Sequence, residues 1–391
     1  MFYIASEEDI KKGRVTDVYF ERANIILNAK GLSKQVSMEI RTKGLPLNME
    51  WGIFSGIEEV IELLKDKPVD VRAIPEGSIF GAFEPVIEVE GNYTDFGIYE
   101  TEILGLICQS SGIATNAARV KLAADNKPVY SFGARRTHPA IGPMVERSAY
   151  IGGCDGVASV LSASKIGIKP VGTIPHALII LVGDTIKSTV YFDELIDKNV
   201  PRLILIDTFN DEKFEAIKVA EALKDKLYAI RFDTPGSRRG NMKQLINEVK
   251  WELAIRGYKD IKIMVSGGLD ENKIKEIVEV VDLFGVGTYI SNSPVIDFAM
   301  DIVAIEQKPI AKRGKESGRK TLLKCKQCGS RFVSLFPSND TRCRSCGGGL
   351  EELMKPVIKN GRVLIDMPSN TQIRNYVIEQ IKNLKNIEEV K

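Results

Sequence analysis

The stretch LYAIRFDTPGSRRGNMKQLINEVKWELAIRGYKDIKIMVSGGLDENKIKEIVEVVDLFGVGT, residues 227–288, alternates short apolar runs with helix-like segments. In its last segment Ile274, Ile277, Val278 and Val281 repeat at i, i+3, i+4 and i+7, and Asp270 stands where a helix cap belongs. The same rhythm extends backwards through VYSFGA (129–134), DGVASV (155–160), KPVGTIPH (169–176) and RLILIDT (202–208). Apolar strands recurring with helical crossovers indicate a parallel sheet buried on both faces. Seven strand candidates between residues 112 and 300 predict an α/β fold built on an irregular (β/α) barrel, with its chemistry at the C-terminal strand ends. SGIATNAARVKLAADN (111–126) reads as a helix capped by Ser111 or Thr115.

On either side of residues 112–300 the pattern changes. Residues 1–111 read as a small N-terminal α/β domain. There Val36, Met38 and Ile40 alternate with Ser37, Glu39 and Arg41, the period of a half-buried strand, and VDVRAI and EPVIEVEG supply further strands. Residues 301–391 form a C-terminal region with the basic stretch KPIAKRGKESGRK, a cysteine quartet and the helix-like TQIRNYVIEQIKNL. A chain of 391 residues is expected to divide into two or three such domains. Its net charge of +2 argues against a general nucleic-acid coat or a polybasic membrane binder. The longest apolar run, Ala177–Gly183, is too short to cross a bilayer, and the charged start lacks a signal-peptide core, so an intracellular, cytoplasmic protein is expected.

The predicted strand ends carry Arg135 and Arg136, Asp155, His176, Asp207 with Thr208, Arg231 with Asp233, Ser266–Gly268 and Gly285–Gly287. Turns alone would favour Asn, Ser and Gly over arginine, so these groups predict a functional cleft. SGGLD and FGVGT bring glycines to the last two ends, where backbone N–H groups can hold a phosphate. GARRTHP (133–139) and IRFDTPGSRRG (230–240) concentrate guanidinium forks suited to carboxylate or pyrophosphate oxygens. His176 is as compatible with a structural role as with a chemical one. GVGTYI has Ile290 where a dinucleotide fingerprint needs its third glycine, and GKESGRKT is not a P-loop.

Cys325-x-x-Cys328 and Cys343-x-x-Cys346 lie fourteen residues apart, each pair followed by a glycine. Four thiolates suit a closed tetrahedral zinc site of structural kind. Lys324, Lys326, Arg331, Arg342 and Arg344 flank it, which raises a zinc-ribbon nucleic-acid binder as a reading of another class.

Taken together, TDVYF (16–20), PEGSIF, EPVIEVEG, ETEILGLI, FGARRTHP, GGCDGVAS, GTIPHA, IRFDTPG, SGGLD and FGVGT resemble nicotinate phosphoribosyltransferase, of the type II phosphoribosyltransferase group. The zinc knuckle looks like a feature of some archaeal members. The resemblance implies an enzyme forming nicotinate mononucleotide from nicotinate and phosphoribosyl pyrophosphate (PRPP), within NAD biosynthesis or salvage. It implies Phe132 stacked on the pyridine ring and Tyr19 of a partner subunit on its other face. Arg135 would meet pyrophosphate or carboxylate, Asp155 the acceptor pocket, and Arg231 with Asp233 the phosphoribosyl unit. Ser266, Gly267, Gly268 and Gly287 would hold the 5′-phosphate, and His176 matches a histidine that ATP phosphorylates in coupled members. Magnesium with PRPP, ATP, and a homodimer or higher oligomer with shared sites are implied likewise. Asp233-Thr234-Pro235-Gly236 departs from the usual Asp-Ser-Gly. SGGLD and SGIAT look closer to quinolinate phosphoribosyltransferase, the alternative reading, for which His138 or Arg136 would serve a second carboxylate.

Overall fold

The computed structural model describes residues 2–388 and divides into two compact units. Unit one comprises Met1–Thr115 and Pro294–Gln380; unit two comprises Asn116–Ser293 and Ile381–Lys391. Residues 301–380 therefore join the N-terminal domain instead of forming a third body. The cause is strand pairing: Phe298–Ile305 and Lys355–Lys359 enter the N-terminal sheet. That sheet has seven strands in the order Lys308–Pro309, Phe298–Ile305, Gln35–Thr42, Ile87–Asn92, Val69–Ala73, Lys355–Lys359, Arg362–Val363, with every pairing antiparallel.

One face of this sheet follows the predicted alternation. Val36, Met38, Ile40, Val71 and Val89 pack on helix Ile57–Leu64 and on Ile103 and Ile107. The opposite face, expected to meet water, is buried: Glu39 is 3% exposed, Arg41 7% and Glu88 3%. The chain after residue 315 closes over it with compensating charges. Lys320 Nζ donates to Glu39 at 3.2 Å, Arg319 binds Glu88 and Glu90, and Arg72 stacks 3.5 Å from the Phe336 ring centroid.

The helix predicted to begin at Ser111 or Thr115 begins earlier, as Glu100–Ala123. Both residues are internal to it and buried. Ser111 Oγ accepts from Ser55 N and donates to Ser55 O; Thr115 Oγ1 accepts from Ile53 N. These hydroxyls satisfy a neighbouring backbone instead of capping a terminus.

Unit two is an incomplete (β/α) barrel. Six parallel strands stand in the order Gly156–Val157, Val129–Ser131, Leu283–Val286, Lys262–Ser266, Leu227–Phe232, Arg202–Leu205. The seventh candidate, KPVGTIPH, is not a strand. It makes one backbone bond to the edge strand, Val171 N to Val157 O, and then runs irregularly to helix His176–Val182. Pro170 and Pro175 lack the N–H that a ladder needs, so the sheet stays open there. Asp270 caps helix Glu271–Ile277 as predicted, accepting from Lys273 N at 2.9 Å. Among the described residues no helix is long and apolar enough to cross a membrane.

Candidate active site

The C-terminal strand ends of unit two surround a cavity of about 480 Å³. Phe132, Arg135, His176, Arg231 and Asp233 all line it. Phe132 continues the strand Val129–Ser131, its N–H bonded to Val286 O at 2.8 Å. Arg231 lies near the end of its strand and uses its whole fork: Nε donates to Ser266 Oγ, Nη1 to Thr173 Oγ1 and Nη2 to Asp233 Oδ1. Its Cζ stands 5.0 Å from the Phe132 ring centroid. Ser266 Oγ also donates to Asp233 Oδ1 at 2.6 Å, which ties two neighbouring strand ends together.

His176 opens its helix with Nδ1 2.9 Å from Thr208 Oγ1. Its Nε2 faces two carboxylates, Asp207 Oδ2 at 3.7 Å and Asp233 Oδ2 at 3.6 Å. Burial pushes the Asp207 carboxyl above the usual carboxylate range; His176 opposes that rise and Asp233 adds to it. Burial pulls Arg231 below its ordinary value, with Asp233 holding it back up. The mouth is thus one coupled array of a buried guanidinium, an imidazole and two acids.

The remaining predicted residues fall into two groups. Gly267 and Gly268 turn with φ of 86° and 64° after Ser266, and Gly287 caps the short helix Thr288–Ser291. These glycines stand at the same end of the sheet as the cavity. Arg136 and His138 are exposed and line no part of the cavity; His138 Nδ1 accepts from Ala140 N. Asp155 is at the wrong end. It precedes its strand, and its carboxylate accepts from Lys121 Nζ and Val129 N, locking the strand start. Tyr19 belongs to unit one, on helix Val18–Ala29, 57% exposed, with its hydroxyl donating to Asp17 at 3.2 Å.

Thr173 and Glu146 were missed. Thr173 precedes His176 by three residues, a proximity that could have marked it. Buried Glu146 accepts from Ala158 N and Ser159 N and so shapes the cavity wall; nothing local in sequence announces that. A second cavity, about 600 Å³, opens beside Met242 and Leu269, but its cations already have partners: Arg239 on carbonyls, Lys243 on Glu279, Lys273 on Asp270.

Two groups of side chains suit metals. Cys325, Cys328, Cys343 and Cys346 bring their sulfurs within 4.8 Å of one another, with pairs at 3.5 and 3.6 Å. Tetrahedral zinc with bonds of about 2.3 Å sets sulfurs about 3.8 Å apart, so the quartet fits. The basic flank is partly neutralised, Arg331 by Glu84 and Arg344 by Asp340. At the barrel mouth Asp207 Oδ1 is buried without a hydrogen-bond partner among the described residues, and hard carboxylate oxygens there fit magnesium.

A half-barrel whose open end gathers arginine, imidazole, acids and glycine turns suits anionic substrates, and the family and relatives that it matches are phosphoribosyltransferases acting on pyridine carboxylates. The family models described as quinolinate phosphoribosyl transferase, N-terminal and C-terminal domain, match residues 17–111 and 113–301. A solved structure titled nicotinate-nucleotide pyrophosphorylase from Pyrococcus furiosus is 55% identical, with TM-score 0.96 over 98% of each chain. The chain belongs to the quinolinate phosphoribosyltransferase family. This corrects the reading as nicotinate phosphoribosyltransferase: the family models and the 55% identical structure carry the quinolinate and nicotinate-nucleotide pyrophosphorylase names, although nicotinate phosphoribosyltransferases match as well. A nicotinate phosphoribosyltransferase of Mycobacterium tuberculosis is 30% identical over 248 residues, 61% of this chain and 52% of that protein, so the chain spans about half the length of this curated relative. Human nicotinic acid phosphoribosyltransferase, 18% identical with TM-score 0.79 over 94% of each chain, shares the fold.

Proposed function

We propose that this chain transfers the phosphoribosyl group of PRPP to the ring nitrogen of quinolinate, a step of NAD biosynthesis. Phosphoribosyl transfer is supported by the cavity that Phe132, Arg231, Asp233, His176 and Arg135 line together, and the choice of quinolinate by the family to which the chain belongs. The ring nitrogen attacks the anomeric carbon, the bond to pyrophosphate breaks, and positive charge builds on the ribose. Asp233 and Asp207 are the anions placed to stabilise that charge. Arg135 has no partner among the described residues and is the guanidinium available to carboxylate or pyrophosphate oxygens. Magnesium, held by Asp207 and Asp233, would neutralise the leaving group. The 2-carboxylate then departs as carbon dioxide, its bonding electrons remain on the ring carbon beside the cationic nitrogen, and that carbon takes a proton. His176, which lines the cavity, is the side chain we assign to supply it. The glycines at 267, 268 and 287 would hold the 5′-phosphate.

The test supplies PRPP, magnesium and carboxyl-labelled quinolinate, with nicotinate in a parallel arm. We expect labelled carbon dioxide, pyrophosphate and nicotinate mononucleotide in equal amounts. Product from nicotinate without carbon dioxide from quinolinate overturns the reading. An ATP arm reads the coupling the resemblance implied: a gain in product yield that His176→Ala abolishes. We propose further that the thiolate quartet holds one structural zinc per chain; elemental analysis finding none refutes that. Sharing of Tyr19 between subunits would show as activity regained when inactive Tyr19→Ala and Arg231→Ala proteins are mixed.

A further inference from the structure

Gly285 lies inside strand Leu283–Val286, paired with Tyr130 on one side and Ser266 on the other. A glycine inside a strand weakens it, because it adds backbone freedom and packs nothing. Its φ is not in the left-handed region, so the backbone does not require glycine there. Space does. A Cβ at this position would meet Phe132 Cε2 at 2.5 Å, Phe132 Cδ2 at 2.6 Å and Met264 Cε at 3.0 Å. Carbon atoms in contact rest about 3.5–4.0 Å apart. An alanine would therefore drive the ring about 1 Å from its place.

Phe132 is held at its backbone and met on its ring. Phe132 N is fixed to Val286 O, and a Cβ on the following Gly133 would strike Ser291 Cβ at 2.4 Å. Arg231, itself held by Ser266, Thr173 and Asp233, stands on the ring at 5.0 Å. Phe132 lines the cavity, so a ring displaced by a Cβ at position 285 changes the wall of that cavity.

We propose that Gly285 is a positioning residue that sets the depth of the Phe132 ring and so the thickness of the slot for the acceptor ring. The inference rests on the proposed function, taken with an acceptor ring that lies against Phe132 in the cavity. It bears on substrate class. Carboxylates on adjacent ring carbons cannot both lie in the ring plane, so a pyridine-2,3-dicarboxylate is thicker than a monocarboxylate and is the acceptor that needs the deeper floor.

The test is a cycle of Gly285→Ala, Phe132→Leu and the double variant. One methyl group in a fitted pocket changes discrimination by roughly 10- to 200-fold. Gly285→Ala is expected to raise the KM for quinolinate about tenfold or more, with the KM for PRPP within twofold. In the Phe132→Leu background, where the side chain can give way, the same substitution should raise it less than threefold. An equal rise in both KM values, or an undiminished rise in the Phe132→Leu background, overturns the proposal. If Gly285→Ala does not fold, the double variant must recover a cooperative melt; failure to do so overturns the proposal as well. If wild-type protein turns over no quinolinate, the functional reading fails separately, and the melting cycle still tests whether residues 285 and 132 compete for one space.

Discussion

Arg231 shows how much of the site rests on single residues. Three donors of its guanidinium reach Ser266, Thr173 and Asp233, which belong to three different segments. A lysine ammonium cannot span that fork. Arg231→Lys should lower kcat/KM by about 10²- to 10³-fold, the scale of losing one preorganised polar contact in a transition state, with the thermal midpoint changed by only a few degrees. Steady-state kinetics and a thermal melt check both halves. Sequence made Arg231, Asp233 and Phe132 legible because each lies near or just beyond the end of an apolar run that became a strand or its continuation, whereas His176 was picked out at the end of KPVGTIPH, which forms no strand. It misplaced Asp155, because DGVASV reads the same whether its acid ends one strand or precedes the next. Thr173 was marked only by its nearness to His176, and Glu146 by nothing local, because their partners, Arg231 and the 158–159 backbone, are near them only in space.

Among the elements, helix Glu100–Ala123 carries the clearest pH signature. A carboxylate in a first turn is ordinarily favoured by the helix dipole. Here burial, with Asp301 and Asp17 adding repulsion, raises Glu100 from 4.5 to about 7. An acid that binds its proton more tightly when folded stabilises the fold fully below its unfolded value, and loses that contribution as pH rises through the folded value. Across pH 4.5 to 7 the stability of wild type relative to Glu100→Gln should therefore fall; urea midpoints for the two proteins at several pH values measure it. A constant difference would contradict the assignment. Helix boundaries were the least legible feature at this scale. Ser111 and Thr115 look like caps in sequence, and the backbone of Ile53 and Ser55 beside them gives their hydroxyls other work.

For the whole molecule, the C-terminal segment matters most. It adds strands to the first sheet and covers that sheet's charged face. Lys320 and Glu39 have side chains 5% and 4% exposed, and removing one partner of such a pair leaves a charge unpaired in a poor solvent for it. Lys320→Ala should cost about 3–5 kcal/mol in urea unfolding, and Lys320→Met combined with Glu39→Gln distinctly less. The strand Lys320–Cys325 links that network to the thiolate quartet, since Lys320 begins it and Cys325 ends it. A chelator that strips metal from the quartet should accordingly lower the thermal midpoint, and Lys320→Ala should lower it further. Equal midpoints with and without chelator would show that the quartet carries no structural metal.

By itself, sequence determined what depends on neighbours along the chain: the strand–helix rhythm of 112–300, the cap at Asp270, the paired cysteines and the polar residues at strand ends. Those signals are local because hydrogen-bond geometry and side-chain periodicity act over a few residues. Tertiary structure decided what depends on residues far apart. It left the barrel open at Pro170–Pro175, sent residues 301–380 back to the first sheet, and buried Glu39 and Arg41 beneath a segment about 280 positions later. It also made room for Phe132 over a glycine 153 positions away in the chain, 285 − 132. Burial and steric exclusion have no sequence range, so they appear only when the chain is folded.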